Sequence, residues 1–402
     1  MKWLSIVGIG EDGVAGLGEH ACAIVANAEI VFGGERHLAL AASLIAGATH
    51  PWLSPLTDSL AVLTAQRGRR VAVLASGDPF FYGIGATLSR LVPAEEMHVV
   101  PAPSAFSLAA SRLGWPLQEV TALSVHGRPI ELVLPHLQPG RRLLALTSDE
   151  NGPAALAKLL TVNGFGPSRL AVLEALGGPN ERVTWHGAES FSLASVNPLN
   201  LCAIEVAAGP GARVLARAPG LPDDLFEHDG QITKREIRAV TLSSLAPRRG
   251  QLLWDIGAGS GSVAIEWMLA DPSMGAIAIE EDGERAMRIR RNAFAFGVPD
   301  LQVVAGSAPT ALAGLPMPDA VFIGGGGSDP GVVDAALLAL KPGGTFVANA
   351  VTLAFEAMLI ERHSALGGTL TRLSVARATP LGGMKGWRPA MPVTQWVWEK
   401  GE

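Results

Sequence analysis

Short apolar runs recur along this chain, and most of them stop at a glycine turn or a polar cap. Leu252-Leu253-Trp254 is such a run, and Asp255-Ile256-Gly257-Ala258-Gly259-Ser260-Gly261 follows it directly. Residues 262–270 then form an apolar stretch of helical length. An uninterrupted apolar run bounded by turn residues reads as a strand buried on both faces, and its alternation with helices reads as a mainly parallel sheet. The runs at residues 276–279, 301–305 and 318–323 continue this pattern, and those at 3–9, 71–75 and 201–208 repeat it in the first half. The fold class predicted is α/β throughout. A last strand is expected at residues 393–398.

The loop after residue 254 carries the clearest chemistry. A glycine-rich turn between a strand and a helix lets a ligand approach the backbone and lie against free N–H groups at the helix start. Dinucleotide sites use G-x-G-x-x-G, where the third glycine lets helix and strand pack closely. Here the spacing is G-x-G-x-G, and Ser262 stands where that third glycine belongs, which favours S-adenosylmethionine over NAD. The next strand ends at Glu280, about 20 residues past the loop, where an acid can accept hydrogen bonds from ribose hydroxyls. Gly306-Ser307-Ala308-Pro309 follows a further strand, so the backbone of Ser307 and Ala308 is the candidate contact for an adenine. Residues 318–323 run into Gly324-Gly325-Gly326-Gly327, and no Asn-Pro-Pro-aromatic segment of the kind that grips a methylated base or amide is present.

At 402 residues, 48% of them hydrophobic and 17% charged, the chain has room for two domains with large cores. A net charge of −6 offers no footprint for nucleic acid. The start reads as a first strand entering a glycine turn and not as a signal peptide. No apolar stretch reaches membrane-spanning length. Cys22 and Cys202 lie far apart, and the histidines have no ligand spacing, so neither a disulfide framework nor a metal site is expected. A cytoplasmic location follows. Breakers and charges near Gly209-Pro210-Gly211 and residues 217–224 predict a boundary, giving domains at 1–212 and 225–402 joined by a linker at 213–224. The second domain opens on Thr233-Lys234-Arg235-Glu236, read as a capping box in which Thr233 and Glu236 satisfy helix-start N–H groups. The same position sets Thr233 near the glycine loop.

Three turns mark the first domain: Gly8-Ile9-Gly10-Glu11-Asp12-Gly13, Ser76-Gly77-Asp78-Pro79-Phe80-Phe81, and Pro101-Ala102-Pro103-Ser104-Ala105. Singly these are ordinary helix-start turns and caps. In this order they resemble the motifs of the tetrapyrrole methylases, the class III S-adenosylmethionine methyltransferases. Residues 225–402 resemble a class I Rossmann-like methyltransferase of the corrin pathway. Together the halves are similar to the two-domain C(5,15)-methyltransferases (decarboxylating) of aerobic cobalamin synthesis. The resemblance implies methylation of a precorrin at carbons 5 and 15 with loss of the ring C acetate carboxyl, precorrin-6B becoming precorrin-8, and one S-adenosylmethionine per domain. It implies that carbon 5 belongs to the N-terminal domain, and carbon 15 and the decarboxylation to the C-terminal one. It also implies cofactor contacts at Gly8, Gly10, Ser76, Gly77, Asp78, Phe81, Ser104 and Ala105 in the first domain. In the second the contacts implied are Thr233, Asp255, Gly257, Ala258, Gly259, Ser260, Gly261, Glu280 and Ala308. The first loop reads Gly-Glu-Asp-Gly where many members have Gly-Pro-Gly-Asp.

No single catalytic residue stands out, because an electron-rich corrinoid carbon and a sulfonium need alignment more than acid–base help. For substrate binding the candidates are His126, Arg128, Lys385, Trp387 and Arg388. His126 can act as an acid or base and Arg128 can bind a carboxylate; the alternative is a half-buried strand end and a solvated turn. Residues 379–389 combine flexible, basic and aromatic positions suited to a carboxylate-rimmed macrocycle, though a wide hairpin with a packed Trp387 fits slightly better. The expected partners are a tetrapyrrole and further copies of the chain in a homo-oligomer, without nucleic acid or membrane. An RNA methyltransferase with an accessory domain and a non-catalytic tetrapyrrole or cofactor sensor are the rival readings.

Overall fold

The computed structural model describes residues 2–401 and divides into two compact units, Met1–Val214 and Leu215–Glu402. In the first unit, strands β1 (Leu4–Ile9), β2 (Ile30–Gly33), β3 (Ala48–Pro51), β4 (Val71–Ser76) and β5 (Met97–Val100) form a parallel sheet of order β3-β2-β4-β1-β5. Alternate residues of its central strands feed two cores: Leu4, Ile6, Val71 and Val73 lie on one face, and Val7, Ile9, Ala72 and Leu74 on the other. That two-sided burial is why these strands read as unbroken apolar runs.

The same unit holds a second sheet, β6 (Val120–Ser124), β7 (Arg142–Leu146), β8 (Arg169–Glu174), β9 (Arg182–Gly187) and β10 (Asn200–Glu205), in the order β6-β7-β10-β8-β9. Only β6 and β7 are parallel; the other pairs are antiparallel. The expectation of alternating strands and helices does not anticipate this mixed sheet, because antiparallel strands buried on both faces have the same apolar signature as parallel ones. Cys202 is fully buried in its core.

The second unit is built on seven strands: β11 (Leu252–Ile256), β12 (Gly275–Glu280), β13 (Gln302–Ala305), β14 (Ala320–Ile323), β15 (Thr345–Ala350), β16 (Thr369–Leu373) and, after a hairpin of β17 (Ala376–Leu381) and β18 (Met384–Pro389), the terminal β19 (Val393–Glu399). Their order is β13-β12-β11-β14-β15-β19-β16, parallel except for β19, which runs antiparallel to both neighbours. Leu253 and Phe322 face one core while Trp254 and Ile323 face the other. The strand order reverses beside β11, and the crevice at the carboxyl ends there is where open α/β sheets take ligands.

The segment read as a linker is anchored. Leu215 and Leu221 are buried in the second unit's core, and the Glu266 carboxylate accepts from Gly220 N at 2.6 Å and Leu221 N at 2.9 Å. Arg238, fully buried, reaches Glu266 at 2.6 Å and Asp223 at 3.0 Å. Prolines and charges mark this stretch as irregular but give no sign that a buried ion cluster holds it down. Among the described residues no helix is long and apolar enough to cross a membrane, and no group of three or more His, Cys, Asp or Glu could hold a metal ion.

Candidate functional sites

The second unit's cavity, about 470 Å³, opens at the carboxyl ends of β11 to β15. Its floor is the glycine loop, in which Gly257, Gly259 and Gly261 have φ of +67°, +60° and +75°, a region that side chains other than glycine's rarely adopt. Space is as restrictive as torsion, because a Cβ on Gly257 would overlap the carbonyl oxygen of Gly325 and one on Gly261 would lie 2.8 Å from Ile289. Gly257, Ala258 and Gly259 line the cavity, as do Glu280, Ser307, Ala308 and Thr233.

Glu280 is buried, and its carboxylate is already employed: Oε2 accepts from Gly259 N at 2.7 Å and Oε1 from Asp282 N at 3.2 Å. A carboxylate offers about four acceptor positions, so lone pairs remain for a diol. Asp255, Ser260 and Gly261 do not line the cavity. Asp255 Oδ2 accepts from Ala264 N at 3.0 Å, serving the helix Ser262–Ala270 whose cap residue, Gly261, has no side chain to offer. Its Oδ1 makes no hydrogen bond. Burial, with a smaller contribution from the charge of Glu280, pushes the Asp255 carboxyl up to about 7, while the Ala264 N–H opposes the rise. Ser260 is buried beneath the loop, its carbonyl accepting from Asn292 at 2.9 Å.

The capping box does not form. The helix is Arg235–Leu245 with Lys234 at its cap, whose ammonium has no acceptor to give. Glu236 instead pairs with Arg377 of β17, and Thr233 is fixed through its carbonyl, which accepts from Arg238. The tail differs from expectation too. It is a tight hairpin turning at Gly382-Gly383, and Trp387 is 77% exposed rather than packed. Lys385, Trp387 and Arg388 do not line the cavity, whereas Val375, Arg377, Ala390 and Met391 at the hairpin's base do. Asn349, Arg377 and Arg238 were not singled out from sequence; isolated polar residues in a strand or a helix carry no local motif.

The first unit's cavity, about 630 Å³, lies at the carboxyl ends of β1, β4, β6, β7 and β8 and at the amino end of β10, which runs antiparallel to β7 and β8. Gly10, Ser76, Gly77, Phe81, Ser104 and Ala105 line it. Ser104 caps the helix Ala105–Leu113 by accepting from Ser107 N at 3.1 Å. Gly77, at φ +52°, has no room for a Cβ, which would stand 2.8 Å from Pro103 O. Gly8 and Asp78 do not line it. Gly8 packs so closely beneath the loop that a Cβ would overlap Gly77 O, and Asp78 Oδ1 accepts from Phe80 N at 2.9 Å to shape the turn. Both are parts of the scaffold.

His126 and Arg128 line the same cavity, and His126 is exposed instead of half-buried. Its Nδ1 lies 3.2 Å from Thr147 O. Sequence reasoning missed Arg36 and His37, which follow β2. Arg36 pairs with Glu11, which accounts for that departure in the first loop, and its guanidinium donates to Ser76 Oγ at 3.0 Å and to His37 Nε2 at 2.8 Å. Burial first, and the Arg36 charge second, push the His37 imidazole down to about 4, so it is neutral at pH 7.

A glycine loop at a topological switch point with a strand-end acid defines the second unit as a nucleotide-cofactor methyltransferase fold, and the first unit encloses its own cavity. Two family models match these units: one described as Tetrapyrrole (Corrin/Porphyrin) Methylases over residues 4–189, and one described as Precorrin methyltransferase domain over residues 224–400. A precorrin-6Y C(5,15)-methyltransferase [decarboxylating] of Sinorhizobium sp is 64% identical over 399 residues, 99% of this chain and 97% of that protein. A cobalt-precorrin-7 C(5)-methyltransferase of Salmonella typhimurium is 30% identical over 182 residues, 45% of this chain and 89% of its own length. A probable cobalt-precorrin-6B C(15)-methyltransferase (decarboxylating) of Pyrobaculum calidifontis is 41% identical over 166 residues, 40% of this chain and 85% of its own. The chain belongs to the precorrin-6Y C(5,15)-methyltransferase (decarboxylating) family. It is an S-adenosylmethionine-dependent enzyme of cobalamin biosynthesis that methylates its precorrin at carbons 5 and 15 and decarboxylates it.

Proposed function

We propose that the two units divide this reaction, each binding one S-adenosylmethionine: the first methylates carbon 5, and the second methylates carbon 15 and releases carbon dioxide from the ring C acetate. The observation that carries the reading is the composition of the second cavity. One end presents Gly257, Gly259, Glu280, Ser307 and Ala308, and the other presents Ile237, Asn349, Val351, Arg377 and Met391. A single enclosure therefore has a cofactor end and an acceptor end. Carbon 15 lies beside ring C, so the carbon to be methylated and the carboxylate to be lost fit one acceptor end. The two single-reaction relatives support separability, since each is named for one half of the chemistry and covers less than half of this chain.

S-adenosylmethionine supplies an electrophilic methyl group, and the chain's contribution is placement. Glu280 holds the ribose hydroxyls, the backbone of Ser307 and Ala308 borders the adenine, and the glycine loop brings N–H groups close to the rest of the cofactor. In the first unit Gly10, Ser76, Gly77, Phe81, Ser104 and Ala105 hold the cofactor, with His126 and Arg128 facing the tetrapyrrole. Lys385, Trp387 and Arg388, exposed on the hairpin, meet the rim and face of the macrocycle outside the cavity. The net charge of −6 supports a partner set without nucleic acid, and we place the enzyme in the cytoplasm.

The test is a mass measurement on full-length protein given reduced precorrin and labelled S-adenosylmethionine. Parent enzyme adds two methyl groups and removes one carbon dioxide. Gly259→Arg, which fills the second cavity, is expected to add one methyl and release no gas. Gly77→Arg is expected to add one methyl with gas release. Carbon dioxide from the Gly259→Arg variant would overturn the assignment.

A further inference from the structure

We propose that Asn349 is the neutral hydrogen-bond donor that orients the carboxylate lost in decarboxylation, an inference that rests on assigning that step to the second unit. Asn349 sits near the carboxyl end of β15, is 7% exposed, and lines the acceptor end of the cavity. Its amide is fixed from behind by a buried chain of polar groups. Thr241 Oγ1 donates its only hydrogen to Ile237 O at 2.8 Å. It must therefore accept from Asn349 Nδ2 at 2.9 Å, and it also lies 3.3 Å from Gln395 Nε2. Gln395 Nε2 donates to Asn349 Oδ1 at 2.9 Å, and Ser244 Oγ donates to Gln395 Oε1 at 2.8 Å.

Each bond in this chain sets the direction of the next, so neither amide can flip without stranding a buried group. One N–H of Asn349 is spent on Thr241. The second N–H has no protein partner among these bonds and belongs to a side chain that borders the cavity. A carboxylate is the acceptor that such a donor suits.

Charge explains why a neutral donor serves this step. The bond between the carboxyl carbon and the adjacent methylene breaks, its electron pair enters the conjugated ring at an iminium formed by methylation or protonation, and carbon dioxide departs. The methylene carbon then takes a proton from solvent and becomes a methyl group. A cation clamped on the carboxylate would stabilise the ground state and oppose the charge leaving it, whereas an amide holds direction with less of that stabilisation. Among the described residues, two of the three cations that line the cavity fit this division, being neutralised by carboxylates. Arg377 is paired with Glu236, and Arg285 with Asp229 at 2.9 Å. Lys234 stands at the cap of the helix Arg235–Leu245.

Full-length Asn349→Leu and Asn349→Asp, assayed with reduced precorrin and labelled S-adenosylmethionine, separate the possibilities. Both variants are expected to bind cofactor at the second site within about twofold of parent and to keep methyl transfer. Carbon dioxide released per methyl added should fall about 10- to 100-fold, as for loss of a buried hydrogen bond to a charged group. Thr241→Val, acting only through the orientation of Asn349, should lower the same ratio by less. An unchanged ratio, or methylation falling in step with decarboxylation while the cofactor still binds, overturns the role. So does a ratio that collapses in Lys234→Met and not in the Asn349 variants. The Gly259→Arg control keeps the two readings apart: gas release from it sinks the assignment of the step to this unit, whereas silence from it with an intact Asn349 ratio sinks only the role of Asn349.

Discussion

The two cavities solve a similar binding problem with different materials. In the second unit the site is local: loop, helix start and acid fall within residues 255–280, and the Glu280 carboxylate braces the very loop it adjoins. In the first unit the site is assembled from turns between Ile9 and Leu201, and the one acid among its wall residues, Glu11, is occupied by Arg36. A local site relies on torsions that favour glycine, together with one carboxylate. A dispersed site relies on backbone segments packed edge to edge, so its glycines matter for proximity. Gly8 has no unusual φ and is nevertheless as crowded as any glycine in the chain.

The largest effect expected from this contrast is loss of one cofactor site at a time. Gly8→Ala drives a methyl group into Gly77 O, and Gly257→Ala combines overlap on Gly325 O with a left-handed φ. Calorimetric titration of each variant should count one bound S-adenosylmethionine per chain where the parent binds two. Loss of both sites in a folded variant, or a parent that binds one, would show that the sites are not independent.

This difference also explains what the sequence disclosed. β11, the helix Ser262–Ala270 and the end of β12 at Glu280 were legible because strand, glycine loop and acid succeed one another with fixed spacing. The scaffold role of Asp255 was not, because a loop of the form Asp-x-Gly-x-Gly does not reveal whether the acid faces the ligand or the helix. In the first unit the turns near Gly8, Gly77 and Ser104 acquired meaning only from their order, through resemblance. Arg36 and His37 sit in an unremarkable helix start, and nothing local announces that β4 brings Ser76 against them. The same limit hid the Thr241-Asn349-Gln395 chain, whose members are spread over three elements.

A smaller effect separates the two acids. Glu280→Ala should weaken cofactor binding at the second site by roughly 1–3 kcal/mol, the range for hydrogen bonds to a charged group. Glu11→Ala should change affinity at the first site by about 1 kcal/mol or less, since it breaks a partly exposed ion pair. Isothermal titration with the other cavity blocked measures both. Equal losses would mean that Glu11 and not the surrounding backbone holds the ribose in the first unit, and an unchanged Glu280→Ala would reduce Glu280 to a brace for the loop.

The smallest effect is a pair of opposed pH dependences. His37 is pushed down to about 4 from an ordinary 6.5, so between those values the unfolded chain takes up a proton that the folded unit refuses. The unfolded state then binds more protons, and stability falls as the pH drops from 6.5 toward 4. Asp255 is pushed up to about 7 from 3.8, so in that interval the folded unit retains a proton that the unfolded chain has released. Stability of the second unit therefore falls as the pH rises from 4 to 7. Scanning calorimetry over pH 4–7 should show His37→Gln removing the acid-side loss and Asp255→Asn removing the loss toward neutrality, each by about 2–4 °C, the shift that 1 kcal/mol produces in a unit of this size. Slopes of the same sign in both variants, or a parent slope that neither variant alters, would show that His37 and Asp255 are not what distinguishes the two units' response to pH.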